Sequence, residues 1–126
     1  MVASSGGGER RRHPRARRQV TVHVVPTGTL KERPPFSVVL LDVSAAGGVG
    51  LVGSRAMPAG TRFRLKLDAG PDRGFVYPHY VVRNCAQAAE GVFKVGAEFT
   101  GRVDGPRGGD SIWSGGDVAA VLARLR

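Results

Sequence analysis

The sequence contains little cysteine, few aromatic residues and no long hydrophobic run. Its single cysteine, Cys85, excludes an internal disulfide bond and every metal site that needs several cysteines. No apolar stretch approaches the roughly 20 residues of a membrane-spanning helix, and the first eight residues lack the apolar core of a signal peptide. We therefore expect a cytoplasmic protein that does not insert into a membrane and that depends on packing for its stability.

Acidic residues are also scarce, since 10 Asp and Glu face 19 Lys and Arg, which gives the 126-residue chain a net charge of +9. Six of the basic residues are arginines within residues 9–18, so more than half of the net charge belongs to this segment, here called the arginine arm. Such a run is commonly a solvated tail or a nonspecific nucleic-acid-binding arm. Here it leads directly into Val20, Val22 and Val24, whose alternation with polar residues predicts a strand.

Alternating apolar and polar residues run through most of the remaining chain. The clearest example is Phe63, Leu65 and Leu67, which are separated by basic residues as the two faces of a half-buried strand require. Six short strands without intervening helices predict a mainly β protein, either a small antiparallel barrel or a sandwich. The predicted strands are residues 19–25, 36–43, 49–52, 61–67, 75–83 and 93–99.

A helix is predicted only at the C-terminus, where it would lie on the barrel or close one of its ends. Asp117 is a suitable N-cap, and arginines follow in the last turn, where the helix dipole favours cations. Its apolar stripe would consist of Val118, Val121, Leu122 and Leu125. The preceding glycine-rich segment, residues 101–116, is predicted to be loosely ordered.

Two short motifs stand beside the predicted strands. Arg11-x-x-x-Arg15 precedes the first strand, and Asp42-x-Ser44-x-x-Gly47 lies at the turn after the second. Either motif alone is weak evidence, because the second is also typical of an ordinary Asx turn with turn glycines. Both together, in this order, resemble the PilZ domain, the bacterial receptor module for the second messenger cyclic di-GMP.

The resemblance extends over about residues 9–103 and implies the fold and the division of the chain. The expected fold is a small six-stranded antiparallel β-barrel with a C-terminal α-helix. Residues 1–8 would form a flexible tail, residues 9–103 a PilZ-like barrel that includes the arginine arm, and residues 104–126 the glycine-rich link and the helix.

The residue types of the two motifs suit a ligand with two phosphates and two guanines. Arginine binds phosphate or the guanine O6 and N7 acceptors bidentately, and its guanidinium can stack on a purine. The carboxylate of Asp42 can accept from guanine N1–H and the 2-amino group. Ser44 can hydrogen-bond to the ligand or cap the turn, and Gly47 allows a positive φ and a close backbone approach.

The resemblance therefore implies a binding site for cyclic di-GMP. The residues that it assigns to this site are Arg10, Arg11, Arg15, Asp42, Ser44 and Gly47. A basic residue at the position of Arg10 accompanies two stacked ligand molecules in this family, so we expect two per protomer. Binding would order the arginine arm and change the surface that a downstream protein partner contacts.

Other function classes have less support in the sequence. The three histidines lack metal-ligand spacing, and Cys85 has no evident partner for nucleophilic chemistry, so we expect neither an enzyme nor a cofactor or metal. One alternative is a PilZ-like domain that does not bind the dinucleotide and acts by protein contacts. The other is a nonspecific nucleic-acid-binding barrel, against which the low aromatic content of 6% argues modestly.

Overall fold

The structure is a computed structural model that describes residues 15–27, 33–105 and 110–125, without the side chains of residues 15–18 and 110–112. Arg10, Arg11 and the predicted tail lie outside the described residues. The elements in chain order are β1 (Arg15–Pro26), β2 (Phe36–Ser44), β3 (Val49–Gly53), β4 (Arg62–Asp68), β5 (Phe75–Ala89), β6 (Val92–Asp104), β7 (Asp110–Ile112) and α1 (Gly115–Arg124).

The first six strands form a closed antiparallel barrel. Neighbouring strands follow the order β3, β2, β1, β4, β5, β6, and a further pairing between β3 and β6 joins the two ends of this sheet. The short strand β7 pairs with the far part of β6. The predicted six-stranded barrel with a C-terminal helix is therefore confirmed, and the sandwich is not what forms.

The barrel interior is filled by the residues that the alternation identified. Phe63, Leu65 and Leu67 of β4 are at most 1% exposed, whereas their basic neighbours point outward. The ring of Tyr80 stacks on Phe63 with 5.6 Å between centroids, and its hydroxyl donates to the carbonyl of Gly47 at 2.8 Å. Burial raises the pKa of Tyr80. This bond satisfies a buried phenol and ties the core to the turn after β2.

Two β-bulges change the direction of side chains on opposite strands. The register shifts between Leu40 and Asp42 on β2, and between Val82 and Asn84 on β5. Leu40 and Val82 are at most 1% exposed, so regular alternation would also turn Asp42 and Asn84 inward. The extra residue in each bulge turns them to the outer face instead, which is a common use of bulges beside functional sites.

The C-terminal helix begins earlier than the sequence predicted. Ser114, not Asp117, is the N-cap: its Oγ accepts from the Asp117 N–H at 3.1 Å, and the Asp117 carboxylate accepts from the Ser114 N–H at 2.9 Å. The N-cap prediction was wrong because this reciprocal pair, a capping box, uses Asp117 as its third helical residue. The predicted apolar stripe is buried at Val118, Val121 and Leu122. Among the described residues, no helix is long and apolar enough to cross a membrane.

The glycine-rich segment before the helix contains more regular structure than predicted. Strand β6 continues as far as Asp104, and β7 pairs with it through Asp104 and Asp110. The prediction of a loosely ordered segment was therefore wrong for these parts of residues 101–116. The error arose because glycine in a sequence usually indicates a loop. Gly101 has a φ of +98°, yet the strand continues on both sides of it.

A carboxylate at the end of β6 joins three strands. Asp104 accepts from Arg64 on β4 at 3.2 Å, lies 2.8 Å from His79 Nε2 on β5, and accepts from Arg102 on its own strand at 3.3 Å. Partial burial alone would raise the pKa of Asp104. The hydrogen bond and charge of His79, together with the two arginines, lower this pKa by more, so it lies below its ordinary value. The ionised form is thus the one that the fold stabilises.

Replacing Asp104 by asparagine is expected to lower the free energy of unfolding by about 1–2 kcal/mol at pH 7. A carboxyl whose folded pKa is lowered contributes stability above its unfolded pKa of about 3.9, and loses it as the pH falls through the folded pKa. Urea unfolding of Asp104→Asn and the wild type should therefore differ at pH 7 and converge in acid. Asp72→Asn, in an exposed turn, is the control. A difference that stays constant into acid would contradict this prediction.

Candidate functional site

An open cavity of about 650 Å³ lies on the outer face of the barrel, over β2, β3, β5 and β6. It contains two of the predicted site residues, Asp42 and Ser44, both from β2. Its other polar or glycine positions are Gly48, Gly50, Asn84, Lys94, Gly96 and Glu98. A second cavity of about 740 Å³ lies beside β1, β4 and β5, and none of the predicted site residues whose side chains the structure describes lines it.

Four residues lie side by side across the base of the first cavity. The backbone register pairs Asp42 with Gly50, Gly50 with Gly96, and Gly96 with Asn84. A Cβ at Gly50 would lie 2.7 Å from Asp42 Oδ1, and a Cβ at Gly96 would lie 2.8 Å from Asn84 Oδ1. We call Gly50 and Gly96 the glycine floor: a flat strip of backbone over which a carboxylate and a carboxamide extend from opposite sides.

Ser44 holds the turn that follows β2. Its side chain is 7% exposed, and its Oγ accepts from the Gly48 N–H at 2.9 Å. Backbone bonds from Ser44 N to Gly48 O and from Gly47 N to Ser44 O, at 2.9 and 3.0 Å, close the same turn. Of the two roles that the sequence allowed for this serine, the structure contains the turn cap. Its contact with a ligand remains a prediction.

Gly47 faces the C-terminal helix. Its φ is +89°, which favours glycine, and a Cβ here would lie 2.9 Å from the carbonyl oxygen of Gly115 and 3.4 Å from Val118 Cβ. It is therefore the close contact of Gly47 with α1 that leaves no room for a side chain at this position. The contact of Gly47 with a base stays a prediction.

The arginine arm reaches the barrel beside the cavity. Among the predicted arginines, the structure describes the backbone of Arg15, which pairs with Ser44 at the start of β1, and Arg17 pairs with Asp42 two residues later. Arg10 and Arg11 lie outside the described residues. The last residue of the first motif, Arg15, therefore lies beside Ser44 of the second motif, on a neighbouring strand.

The described side chains of the cavity are nearly balanced in charge. Asp42 and Glu98 are acidic, Lys94 is basic, and Glu98 accepts from Arg83 Nε at 2.7 Å at an exposed position. Within the part of the chain that the structure describes, no cluster of three or more His, Cys, Asp or Glu side chains could hold a metal ion. A polyanionic ligand would therefore need cations from elsewhere, and the described part of the arginine arm pairs with β2 beside this cavity.

The sequence did not identify the far wall of the cavity. Asn84 and Lys94 line it, and Gly96 of the floor pairs with Asn84 and lies on the same strand as Lys94. One signal was present: Gly50 and Gly96 interrupt apolar strands, and a glycine inside a strand often marks a bulge or a close backbone approach. It could not be used to pair the two glycines, because their pairing depends on the closure of the barrel between β3 and β6.

Comparison with known proteins agrees with this architecture. Among solved structures, the chain is similar to the inhibitor of motility MotI/DgrA of Bacillus subtilis, with a TM-score of 0.59 and 19% sequence identity. The similarity covers 90% of this chain and 48% of that one, so the chain spans about half the length of that structure, and the likeness concerns the fold. No curated protein matches significantly.

A family model provides the assignment. The model described as PilZ domain matches residues 9–106, a range that contains the arginine arm, both motifs and all six strands of the barrel. Most of the sequence is therefore covered, and the chain belongs to the PilZ domain family.

Proposed function

We propose that the protein is a receptor for cyclic di-GMP and binds the dinucleotide in the cavity that contains Asp42 and Ser44. The observation that supports this most directly is the register of β1 and β2, which pairs Arg15 with Ser44 and Arg17 with Asp42. Arg15, a predicted phosphate ligand, and Asp42, the predicted base ligand, thus come from adjacent strands. Membership of the PilZ family supports the same ligand class.

The charge distribution supports a role for the arginine arm in this site. Among the described cavity side chains, only Lys94 is cationic, whereas the ligand carries two phosphates. The arm contains six arginines in ten residues, whose permanent charge and forked geometry suit phosphate oxygens. In this proposal Arg10, Arg11 and Arg15 bind phosphate and stack on guanine, and Arg10 allows a second ligand molecule per protomer.

Base recognition in this proposal is carried by Asp42. Its carboxylate accepts from guanine N1–H and the 2-amino group, which adenine does not offer in that arrangement. Ser44, whose Oγ already accepts from the Gly48 N–H, donates its hydroxyl hydrogen to the ligand. Gly47 contributes through the turn, which it holds against α1.

In this proposal the protein acts as an adaptor: ligand binding changes the surface that a partner protein contacts. Arginines at the density of the arm repel one another, and bound phosphates remove that repulsion and hold the arm against the barrel. The ligand shifts the protein toward this state because it binds the held arm more tightly. A downstream protein partner then distinguishes the two surfaces, and the chain itself performs no catalysis.

Isothermal titration with cyclic di-GMP tests the proposal. Arg15→Ala and Asp42→Ala are each expected to weaken binding by about 10- to 150-fold, or about 1.5–3 kcal/mol, because each removes one set of charge-assisted hydrogen bonds. Cyclic di-AMP is expected to bind much more weakly than cyclic di-GMP. The wild-type titration also gives the stoichiometry, for which we expect two ligands per protomer.

Matched controls use residues away from the cavity. Arg62→Ala on the exposed face of β4 and Asp72→Ala in an exposed turn remove the same charges and should leave the affinity unchanged. Unchanged affinity in both Arg15→Ala and Asp42→Ala, or equal loss in the controls, would overturn the proposed site. Failure of the wild type to bind would overturn the proposed function.

A further inference from the structure

Asn84 occupies an unusual position for a surface residue of β5. It lies two residues after Val82, which is 1% exposed, yet a bulge turns Asn84 onto the outer face and into the cavity. There its carboxamide bends over Gly96: a Cβ at Gly96 would lie 2.8 Å from Oδ1 and 3.0 Å from Nδ2 of Asn84. A bulge and an interior glycine both weaken a strand, so their combination at one position indicates that the direction of this side chain matters.

The same arrangement is present on the opposite side of the glycine floor. A bulge on β2 turns Asp42 outward, and its carboxylate bends over Gly50, with both oxygens within 3 Å of the position that a Cβ would occupy. Gly50 and Gly96 are directly paired, so their Cβ positions lie about 5 Å apart. The two polar groups thus lie on opposite sides of one glycine pair, and neither glycine places a side chain between them.

Chemical complementarity identifies the base that fits between these groups. A carboxylate only accepts hydrogen bonds, whereas a carboxamide also donates through its two N–H groups. Guanine offers donors at N1 and the 2-amino group, and acceptors at O6 and N7. A guanine whose N1–H and 2-amino group face Asp42 keeps N7, on the adjacent edge, for a donor such as Nδ2 of Asn84.

This inference rests on the proposed function: we propose that Asn84 is a second base-recognition residue, which donates from Nδ2 to N7 of the guanine that Asp42 holds. The base lies flat on Gly50 and Gly96, where backbone atoms replace the side chains that would otherwise lift it. The pocket then distinguishes guanine by two edges, from β2 and from β5, and not by the Asp42 contact alone.

Titration calorimetry with cyclic di-GMP and with its 7-deaza analogue, which lacks the N7 acceptor, tests this proposal on the full chain. Asn84→Ala is expected to weaken cyclic di-GMP binding about 5- to 30-fold. The analogue is expected to bind the wild type several-fold more weakly than cyclic di-GMP does, and to bind Asn84→Ala no more weakly than cyclic di-GMP does. Asn84→Asp keeps the shape and loses the donors, so its loss should be at least as large. Gln87→Ala, exposed on the same strand and outside the cavity, is the control.

The outcomes separate the two proposals. If the wild type does not bind cyclic di-GMP, both are overturned. If the wild type binds, and Asn84→Ala and Asn84→Asp bind equally well, only the role of Asn84 is overturned. Equal sensitivity of the wild type and Asn84→Ala to the 7-deaza analogue would also overturn it, because a residue that merely supports the strand would not be coupled to one atom of the base.

Discussion

Replacing Gly115 by alanine is expected to lower the free energy of unfolding by about 3 kcal/mol or more. In an isolated helix alanine is favoured over glycine by about 1 kcal/mol. Here, however, a Cβ at Gly115 would collide with the backbone carbonyl of Ala46. Ala46 belongs to the turn that Ser44 closes, so neither backbone can yield easily. A helix that moved away would expose buried side chains worth about 1.5–3 kcal/mol each. These are Val118, Val121 and Leu122.

Gly116→Ala is the matched control for this prediction. The next residue of the same helix turn has open surroundings, since a Cβ at Gly116 would lie 3.6 Å from Ser114 Oγ, an ordinary contact. Thermal and urea unfolding should show Gly115→Ala clearly destabilised, and Gly116→Ala unchanged or stabilised by up to about 1 kcal/mol. Similar shifts in both variants would show that the contact with Ala46 does not hold the helix.

Replacing Gly50 by valine is expected to weaken cyclic di-GMP binding by more than about 300-fold, or about 3.4 kcal/mol. The new side chain would stand on the glycine floor, where the base is proposed to lie. Its Cβ would also displace the carboxylate of Asp42, whose oxygens are 2.7 and 2.9 Å from that position. The contact surface and the hydrogen-bonding group are thus lost together, which is why the effect should exceed that of Asp42→Ala.

The fold is expected to tolerate Gly50→Val. The atoms nearest to the new Cβ belong to the end of a side chain that can rotate away, and valine is favoured in strands. Ala86→Val is the control, because it adds a similar side chain at an exposed position of β5 outside the cavity. Calorimetry reports the affinity and thermal unfolding reports the fold. Full binding by a folded Gly50→Val protein would exclude the floor as the place of the base.

The strand pattern could be predicted because each barrel strand has one face buried in the core and one face exposed to solvent. Phe63, Leu65 and Leu67 alternate with basic residues, and that alternation alone fixes which side faces the core. The joint position of the two motifs could be predicted for a related reason. Consecutive antiparallel strands usually pair, so residues at the start of β1 meet residues at the end of β2, as Arg15 and Ser44 do.

The cavity wall formed by β5 could not be predicted, because there the strand departs from regular alternation. Alternation predicts that Asn84 points inward like Val82, and only the bulge, which arises from the pairing of β5 with β6, reverses it. The start of the helix was missed for a local reason. Both Ser114 and Asp117 are good capping residues, and the choice between them was decided by a reciprocal pair of hydrogen bonds that needs both.

The turn after β2 contacts both the cavity and α1, so its sequence motif is not specific for ligand binding. Ser44 closes the turn and Gly47 lies against α1, so both make structural contacts that do not depend on what the cavity holds. A relative that had stopped binding a dinucleotide would still be expected to retain them. The informative positions for ligand binding are Asp42 and the arginines. A survey of homologous sequences for binding-competent members should therefore score those positions and disregard the serine and the glycine.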